Sequence, residues 1–269
     1  MAEKVAIIAG AGQFPLHIAR AAKQQGVPVV AVGIQGWADP SLAAHVDAYE
    51  EVSMGQLGRL IERLRAHGVR QAVMAGKVTK AVLLDPRMAV DAETRAILEQ
   101  AKDVSVEALL GSVAARLAQA GITVLDSSTF LAANLCPRGV LTRRAPSPEE
   151  AQDIQIGQRM ARLMAELDVG QTVVVKRRVI VAVEALEGTD AAIRRAQTLA
   201  GAGLVVVKAA SPRQDRRFDL PVVGPETVTT LTAAGASCLA MEAGFTLLLD
   251  RDALISAADA ANLCLVGVT

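Results

Sequence analysis

The stretch Lys4-Val-Ala-Ile-Ile-Ala-Gly10-Ala-Gly12-Gln13-Phe14-Pro15 decides how the chain is read. Its apolar run, residues 4–10, is short and uninterrupted, as expected of a strand buried on both faces. Gly10 and Gly12 then allow a tight turn, and Pro15 suits the first turn of a helix, where its missing N–H removes no bond. Gly26 is placed to end that helix. A second buried strand is expected at residues 27–34, a helix at 56–66 and another strand at 71–75. Strand and helix alternate, which predicts an open, Rossmann-like α/β sheet.

Working outward, helical patterns cover residues 91–102 and 104–119, with a short strand at 122–125. Residues 134–148 carry Pro137, Gly139, Pro146 and Pro148 with little periodicity, so the inter-domain linker is expected there. This gives an N-terminal α/β domain over residues 1–133 and a C-terminal α/β domain over 149–269. The second domain opens on an acidic helix, residues 148–168, whose Ile156, Met160, Leu163, Met164 and Leu167 fall on one face. That stripe suits a core; a groove for lipid chains is the other reading. Residues 173–175 and 179–183 bracket Lys176-Arg-Arg178 as a hairpin with a basic tip. Helices at 190–200 and 227–234 and strands at 204–208, 238–241, 246–249 and 263–268 complete the pattern.

A chain of 269 residues exceeds the usual ~100–200 of one domain, which agrees with two cores. Lysine plus arginine equals aspartate plus glutamate at 28 each, so there is no basic footprint and nucleic acid is not an expected partner. Cys136, Cys238 and Cys264 lack metal-ligand spacing and read as buried free thiols in a reducing compartment. The opening residues show no secretory signal pattern, and no apolar run approaches the ~18–20 residues of a membrane span. The expected location is the cytoplasm, with room for peripheral contact with the inner membrane. His17, His45 and His67 are scattered and form no HxxxH pattern, which excludes a histidine-rich two-metal phosphoesterase. The absence of GxSxG argues against a serine hydrolase.

Chemistry concentrates elsewhere. The turn at Gly10 to Gly12 fits either a tight strand-to-helix turn or an anion site at a helix N-terminus. A dinucleotide fingerprint is absent: Pro15 stands where the third glycine belongs, and no acidic residue ends the second strand. Gly76-Lys77-Val-Thr79-Lys80 follows a buried strand, at the edge where open α/β sheets bind ligands; a solvated loop is the plainer alternative. Glu184, Glu187 and Asp190 recur at three-residue spacing across Gly188, with Thr189 as the expected helix cap. Each carboxylate alone is explained by a helix N-terminus. Together with Asp219, before Leu220-Pro221, they are candidate hard-oxygen ligands for Mg²⁺, and Lys208 ends a neighbouring strand. Asp219 fits either metal binding or orientation of a water.

Five segments carry a resemblance: Ala9-Gly10-Ala-Gly12-Gln13-Phe14-Pro15, Ala75-Gly76-Lys77-Val-Thr79, Asp168-Val-Gly170-Gln171, Val183-Glu184-Ala-Leu-Glu187-Gly188-Thr189-Asp190 and Arg217-Phe-Asp219-Leu-Pro221-Val-Val-Gly224. They resemble the histidine-poor UDP-2,3-diacylglucosamine pyrophosphatases of lipid A biosynthesis in Gram-negative bacteria. The resemblance implies a two-domain Mg²⁺-dependent hydrolase holding its substrate between domains. It would yield UMP and 2,3-diacylglucosamine 1-phosphate by attack of water on the β-phosphorus. Asp219 takes the place of the family's catalytic aspartate. The expected substrate-contact set is Gly10, Gly12, Gln13, Phe14, Gly76, Lys77, Thr79, Glu184, Gly188, Thr189 and Lys208; the expected metal set is Asp219 with Asp190 or Glu187. Two rivals stand beside this reading: a non-catalytic nucleotide-sugar-binding sensor, and a nicotinamide-dependent oxidoreductase, which the missing fingerprint disfavours.

Overall fold

All five residues of Val5–Ala9 are buried, and they form β1, the central strand of a parallel sheet. A computed structural model describes residues 2–78, 88–100, 106–210, 215–218 and 220–269; Thr79 and Asp219 lie outside these. The described residues form two units, one of 2–131 with 215–218, the other of 132–210 with 220–269.

The first unit runs β1, α1 (Phe14–Gln24), β2 (Val29–Ile34), β3 (Ala48–Val52), α2 (Leu57–Ala66), β4 (Gln71–Ala75), α3 (Ala92–Gln100), α4 (Val106–Gln119) and β5 (Thr123–Val124). The five strands lie in the order β3-β2-β1-β4-β5, all parallel, with Val5 paired to Val29 on one side and Gln71 on the other. The order reverses between β1 and β4, so the chain leaves their carboxyl ends in opposite directions, which is where open α/β sheets bind ligands. Strand β3 is absent from the sequence reading. It is an edge strand with only Val52 buried, so its pattern lacks the apolar run that marks β1 and β2.

The second unit contains β6 (Gly139–Val140), α5 (Pro148–Glu166), β7 (Thr172–Lys176), β8 (Val179–Val183), α6 (Thr189–Ala200), β9 (Leu204–Lys208), β10 (Val222–Val223), α7 (Pro225–Ala233), β11 (Ala236–Glu242), β12 (Leu247–Leu248), α8 (Arg251–Ala260) and β13 (Cys264–Val268). Its main sheet is mixed, in the order β6-β13-β11-β9-β7-β8. Strands β9, β11 and β13 run parallel, while β7 and β8 form the antiparallel hairpin expected from the sequence. The hairpin tip, Arg177 and Arg178, adopts positive φ at both residues, and the carboxylate of Asp153 on α5 accepts both backbone N–H groups at 2.9 and 2.5 Å.

Residues 134–148, expected as a linker, are built into this unit. Gly139–Val140 pairs with β13, Leu265 N donates to Thr142 Oγ1 at 3.0 Å, and Ser147 caps α5 in a reciprocal box with Glu150. Helix α5 bears out part of the expected core stripe and corrects the rest: Ile156 and Met160 pack against the core. Leu163 and Leu167 are 47% and 68% exposed, whereas the buried face is Glu150, Asp153, Ile154, Gly157 and Ala161. A Cβ on Gly157 would lie 2.5 Å from Val207 Cγ2, so the helix docks on the sheet through its small residues. All three cysteines are buried and free. Among the described residues no helix is long and apolar enough to cross a membrane.

Candidate functional site

At the carboxyl edge of the first sheet, the turns after β1 and β4 are joined main chain to main chain. Gly10 N donates to Ala75 O at 2.8 Å, and Ala11 and Lys77 exchange both N–H···O bonds at 2.9 Å. A Cβ on Gly10 would sit 2.7 Å from Lys77 O, and one on Gly76 2.7 Å from Gly10 C, so the two glycines permit the approach. The Gly10 and Ala11 amides are therefore occupied by the neighbouring turn, and Gly10 acts here as a packing glycine, not an anion donor. Gly12, at φ +92°, faces open space. Gln13 Nε2 donates to Asp39 Oδ2 at 3.3 Å. Phe14 is only 8% exposed, so the ring expected to meet substrate is a core side chain. The apolar face of α1 takes it in together with Leu16 and Ile18.

Beyond β5 the same edge holds a cluster that sequence reasoning missed. Asp126 Oδ2 accepts from Arg216 Nε at 2.7 Å, and its Oδ1 accepts from Ser128 N and Oγ at 2.7 and 2.6 Å. Ser127 N donates to Arg216 O at 2.8 Å, and its hydroxyl lies 2.8 Å from Arg217 O and 3.1 Å from Met74 O. Burial pushes the Asp126 carboxyl up, but the hydroxyl and amide of Ser128 and the Arg216 guanidinium outweigh it and hold it below the ordinary aspartate range. Phe218 is buried in the core of this first unit.

In the second unit the expected residues do converge. Thr172, the first residue of β7, is fully buried and stands in register with Lys208, the last of β9. Lys208 Nζ lies 3.5 Å from Thr172 Oγ1 and 3.2 Å from Thr189 Oγ1, at the start of α6. Thr189 Oγ1 donates to Glu184 Oε1 at 2.8 Å, and Gln171 N to Glu184 Oε2 at 3.4 Å. Burial raises the Glu184 carboxyl, yet the Lys208 ammonium, the two threonine hydroxyls and the Gln171 amide together hold it below the usual glutamate range. A Cβ on Gly170 would meet Glu184 O at 2.2 Å, which explains the glycine in the Asp168-Val-Gly170-Gln171 segment. Gly188, at φ +82°, turns the chain into α6.

The other two carboxylates point to different partners. Glu187 is exposed, pairs with Arg195 at 2.6 Å and accepts from Ala185 N at 3.1 Å. The Arg195 guanidinium holds its carboxyl low, with the local backbone amides adding to the effect. Asp190 is exposed in the first turn of α6. Among the described residues no three His, Cys, Asp or Glu side chains gather as a metal site. Of the histidines, His67 pairs with Glu50 at 2.7 Å, and His45 lies 3.5 Å from Arg20.

Thr172 carried no signal in the sequence, because its place beside Lys208 comes from antiparallel register. Asp126 and Ser127 carried a weak one, two polar residues directly after a strand pattern.

Comparison with known proteins covers nearly the whole chain. The model of the LpxI N-terminal domain matches residues 4–134 and that of the LpxI C-terminal domain residues 137–266. The curated UDP-2,3-diacylglucosamine pyrophosphatase LpxI of Caulobacter vibrioides is 32% identical over 277 residues, covering 98% of this chain and 97% of that protein. Among solved structures, a GalE-like L-threonine dehydrogenase from Cupriavidus necator aligns with 44% of this chain and 34% of its own at 17% identity and a TM-score of 0.29. A UDP-glucose-4-epimerase from Stenotrophomonas maltophila aligns with 45% of this chain and 34% of its own at 20% identity and a TM-score of 0.28. Both domain models match in order, and together they span the described folds from end to end, so the chain belongs to the LpxI family.

Proposed function

We propose that this protein hydrolyses the pyrophosphate bond of UDP-2,3-diacylglucosamine, releasing UMP and 2,3-diacylglucosamine 1-phosphate. The observation that carries this reading is the 32% identity, over 98% of the chain, to a protein named for that activity. The convergence of Lys208, Thr172, Thr189 and Glu184 at one sheet edge supports it chemically.

Water attacks the β-phosphorus on the sugar side. Its oxygen forms the new P–O bond, the bond from that phosphorus to the bridging oxygen breaks, and UMP leaves with the bridging oxygen. A pyrophosphate diester repels an incoming hydroxide through its own negative charge, so cationic donors aimed at the phosphoryl oxygens lower the barrier. The Lys208 ammonium stands among hydroxyls that can themselves bond a phosphate oxygen. Glu184, ionised and bonded to Thr189, holds that hydroxyl and balances the lysine charge when no substrate is bound. The N-terminus of α6 adds its dipole to the same place.

Mg²⁺ belongs to this reading through Asp219; such an ion would neutralise phosphoryl charge and takes one or two carboxylates plus phosphates and waters. Glu187, expected as an alternative ligand, carries an ion pair with Arg195. Action on a diacylated substrate at the cytoplasmic face of the inner membrane completes the proposal.

The test is hydrolysis of UDP-2,3-diacylglucosamine in ¹⁸O-water by wild type, Asp219→Asn and Glu187→Gln, each with Mg²⁺ or chelator. Expected are label in the lipid phosphate, loss of turnover in Asp219→Asn and in chelator, and unchanged Mg²⁺ dependence in Glu187→Gln. Binding without turnover by folded wild type would establish the nucleotide-sugar sensor instead.

A further inference from the structure

We propose that Asp126 and Ser127 are positioning residues for Asp219, clamping the preceding tetrapeptide, Asp215-Arg216-Arg217-Phe218, to the carboxyl edge of the first sheet. The proposal rests on the reading of Asp219 as the catalytic carboxylate.

The tetrapeptide comes from the second half of the sequence yet packs within the first unit. It has no strand or helix of its own to hold it, so its placement depends on a few contacts. Ser127 supplies two. Its amide takes the carbonyl of Arg216 and its hydroxyl that of Arg217, and the same hydroxyl reaches the Met74 carbonyl on β4. Ser127 is only 1% exposed, and its hydroxyl supplies the donor that these carbonyls need away from water. Asp126 adds the charged contact to Arg216, and its second oxygen is fixed by Ser128.

Within the tetrapeptide, Phe218 N bonds Asp215 O at 3.2 Å, and Arg217 pairs with Asp215. The Phe218 ring, 4% exposed, fastens the last residue into the core around β4 and β5. Main chain, charge and ring thus fix one short loop at three levels. The clamp sits at the strand ends that also carry Gly10, Gly76 and Lys77. In sequence, Phe218 is followed directly by Asp219. A displacement of about 1 Å at a reacting group is worth on the order of 10²-fold in rate, so a clamp one residue upstream is felt in turnover.

The test is steady-state hydrolysis by Ser127→Ala and Asp126→Asn, with thermal melts on the same samples. Ile61→Val, a core truncation on α2 of the same unit, supplies the control for stability alone. Expected is a fall in kcat on the order of 10- to 10²-fold at an unchanged KM in both clamp variants, while Ile61→Val melts earlier and keeps its kcat. Wild-type kcat in folded clamp variants overturns the proposal, as does a loss that Ile61→Val reproduces at equal melting temperature. If Ser127→Ala does not fold, Asp126→Asn, which keeps the shape and removes the charge, decides alone. Asp219→Asn is assayed beside them. Full activity there removes the catalytic reading and the clamp with it, whereas a dead Asp219→Asn with active clamp variants removes the clamp only.

Discussion

The two sheets end in different materials. At the first, the turns after β1 and β4 are joined by main-chain bonds, and glycines at 10 and 76 make room for backbone to touch backbone. At the second, an ammonium, two hydroxyls and a carboxylate on Lys208, Thr172, Thr189 and Glu184 meet through side chains. The β1–β4 junction is therefore intolerant of added atoms and indifferent to charge, unlike the Asp126–Arg216 contact farther along the same edge. The second edge tolerates isosteric exchange in shape and responds to every change of charge. Added atoms at the β1–β4 glycines should therefore damage stability, and removal of charge at the second edge should damage turnover.

The largest effect is expected at the side-chain edge. Lys208→Met keeps the length of the side chain and removes its charge, so kcat/KM should fall on the order of 10²- to 10³-fold, as when a single donor to a developing oxyanion is lost. The melting temperature should move little. Kinetics with UDP-2,3-diacylglucosamine and a thermal melt check both halves; a fall in stability that matches the fall in rate would erase the contrast between the edges.

At the main-chain edge the order inverts. Gly76→Ala places a Cβ 2.7 Å from Gly10 C and 2.8 Å from Ala11 O at φ +93°. Neither neighbour is a side chain that can swing away, so the loss of stability should exceed about 3 kcal/mol. Gly12→Ala is the internal control, with φ +92° and nothing within 4 Å. It should cost the conformational penalty alone, about 1–2 kcal/mol. Chemical denaturation of the two variants measures the difference, and equal losses would mean that close approach at Gly76 carries no weight.

The same division explains what the sequence made legible. Strands β1, β2, β7 and β9 are continuous apolar runs because both faces are covered, so composition alone marks them. Strand β3 escapes because an edge needs no such run, and α5 misleads because it docks through Gly157 and Ala161 while its leucines face out. In the site, Lys208, Glu184 and Thr189 are legible as charged or capping residues at the ends of recognisable elements. Thr172 is not, since only the β7–β9 register makes it a neighbour of Lys208. Ser127 is illegible for a stronger reason: its partner carbonyl lies 90 residues along the chain. The family resemblance puts Phe14 at the substrate, and its ring instead serves the core.

The smallest of these effects is the one that tests the electrostatics directly. Glu184 has its carboxyl held below the ordinary value of about 4.3 in the folded protein, because Lys208 and its hydrogen-bond donors outweigh the cost of burial. A depressed folded value means that the stabilisation is present above the unfolded pKa and is lost as pH falls through the folded one. Glu184→Gln keeps an acceptor for Thr189 but removes the charge. Wild type should be more stable than this variant by about 1 kcal/mol at pH 7, a modest figure because the group is half-buried and solvent screens it. Below the folded pKa the wild-type carboxyl is protonated as well, and the two melting curves should coincide. Gly76→Ala, by contrast, should show the same loss at both pH values, since no proton enters its cause. A Glu184→Gln difference that persisted in acid would assign the contribution of residue 184 to shape, and the side-chain edge would then resemble the main-chain edge after all.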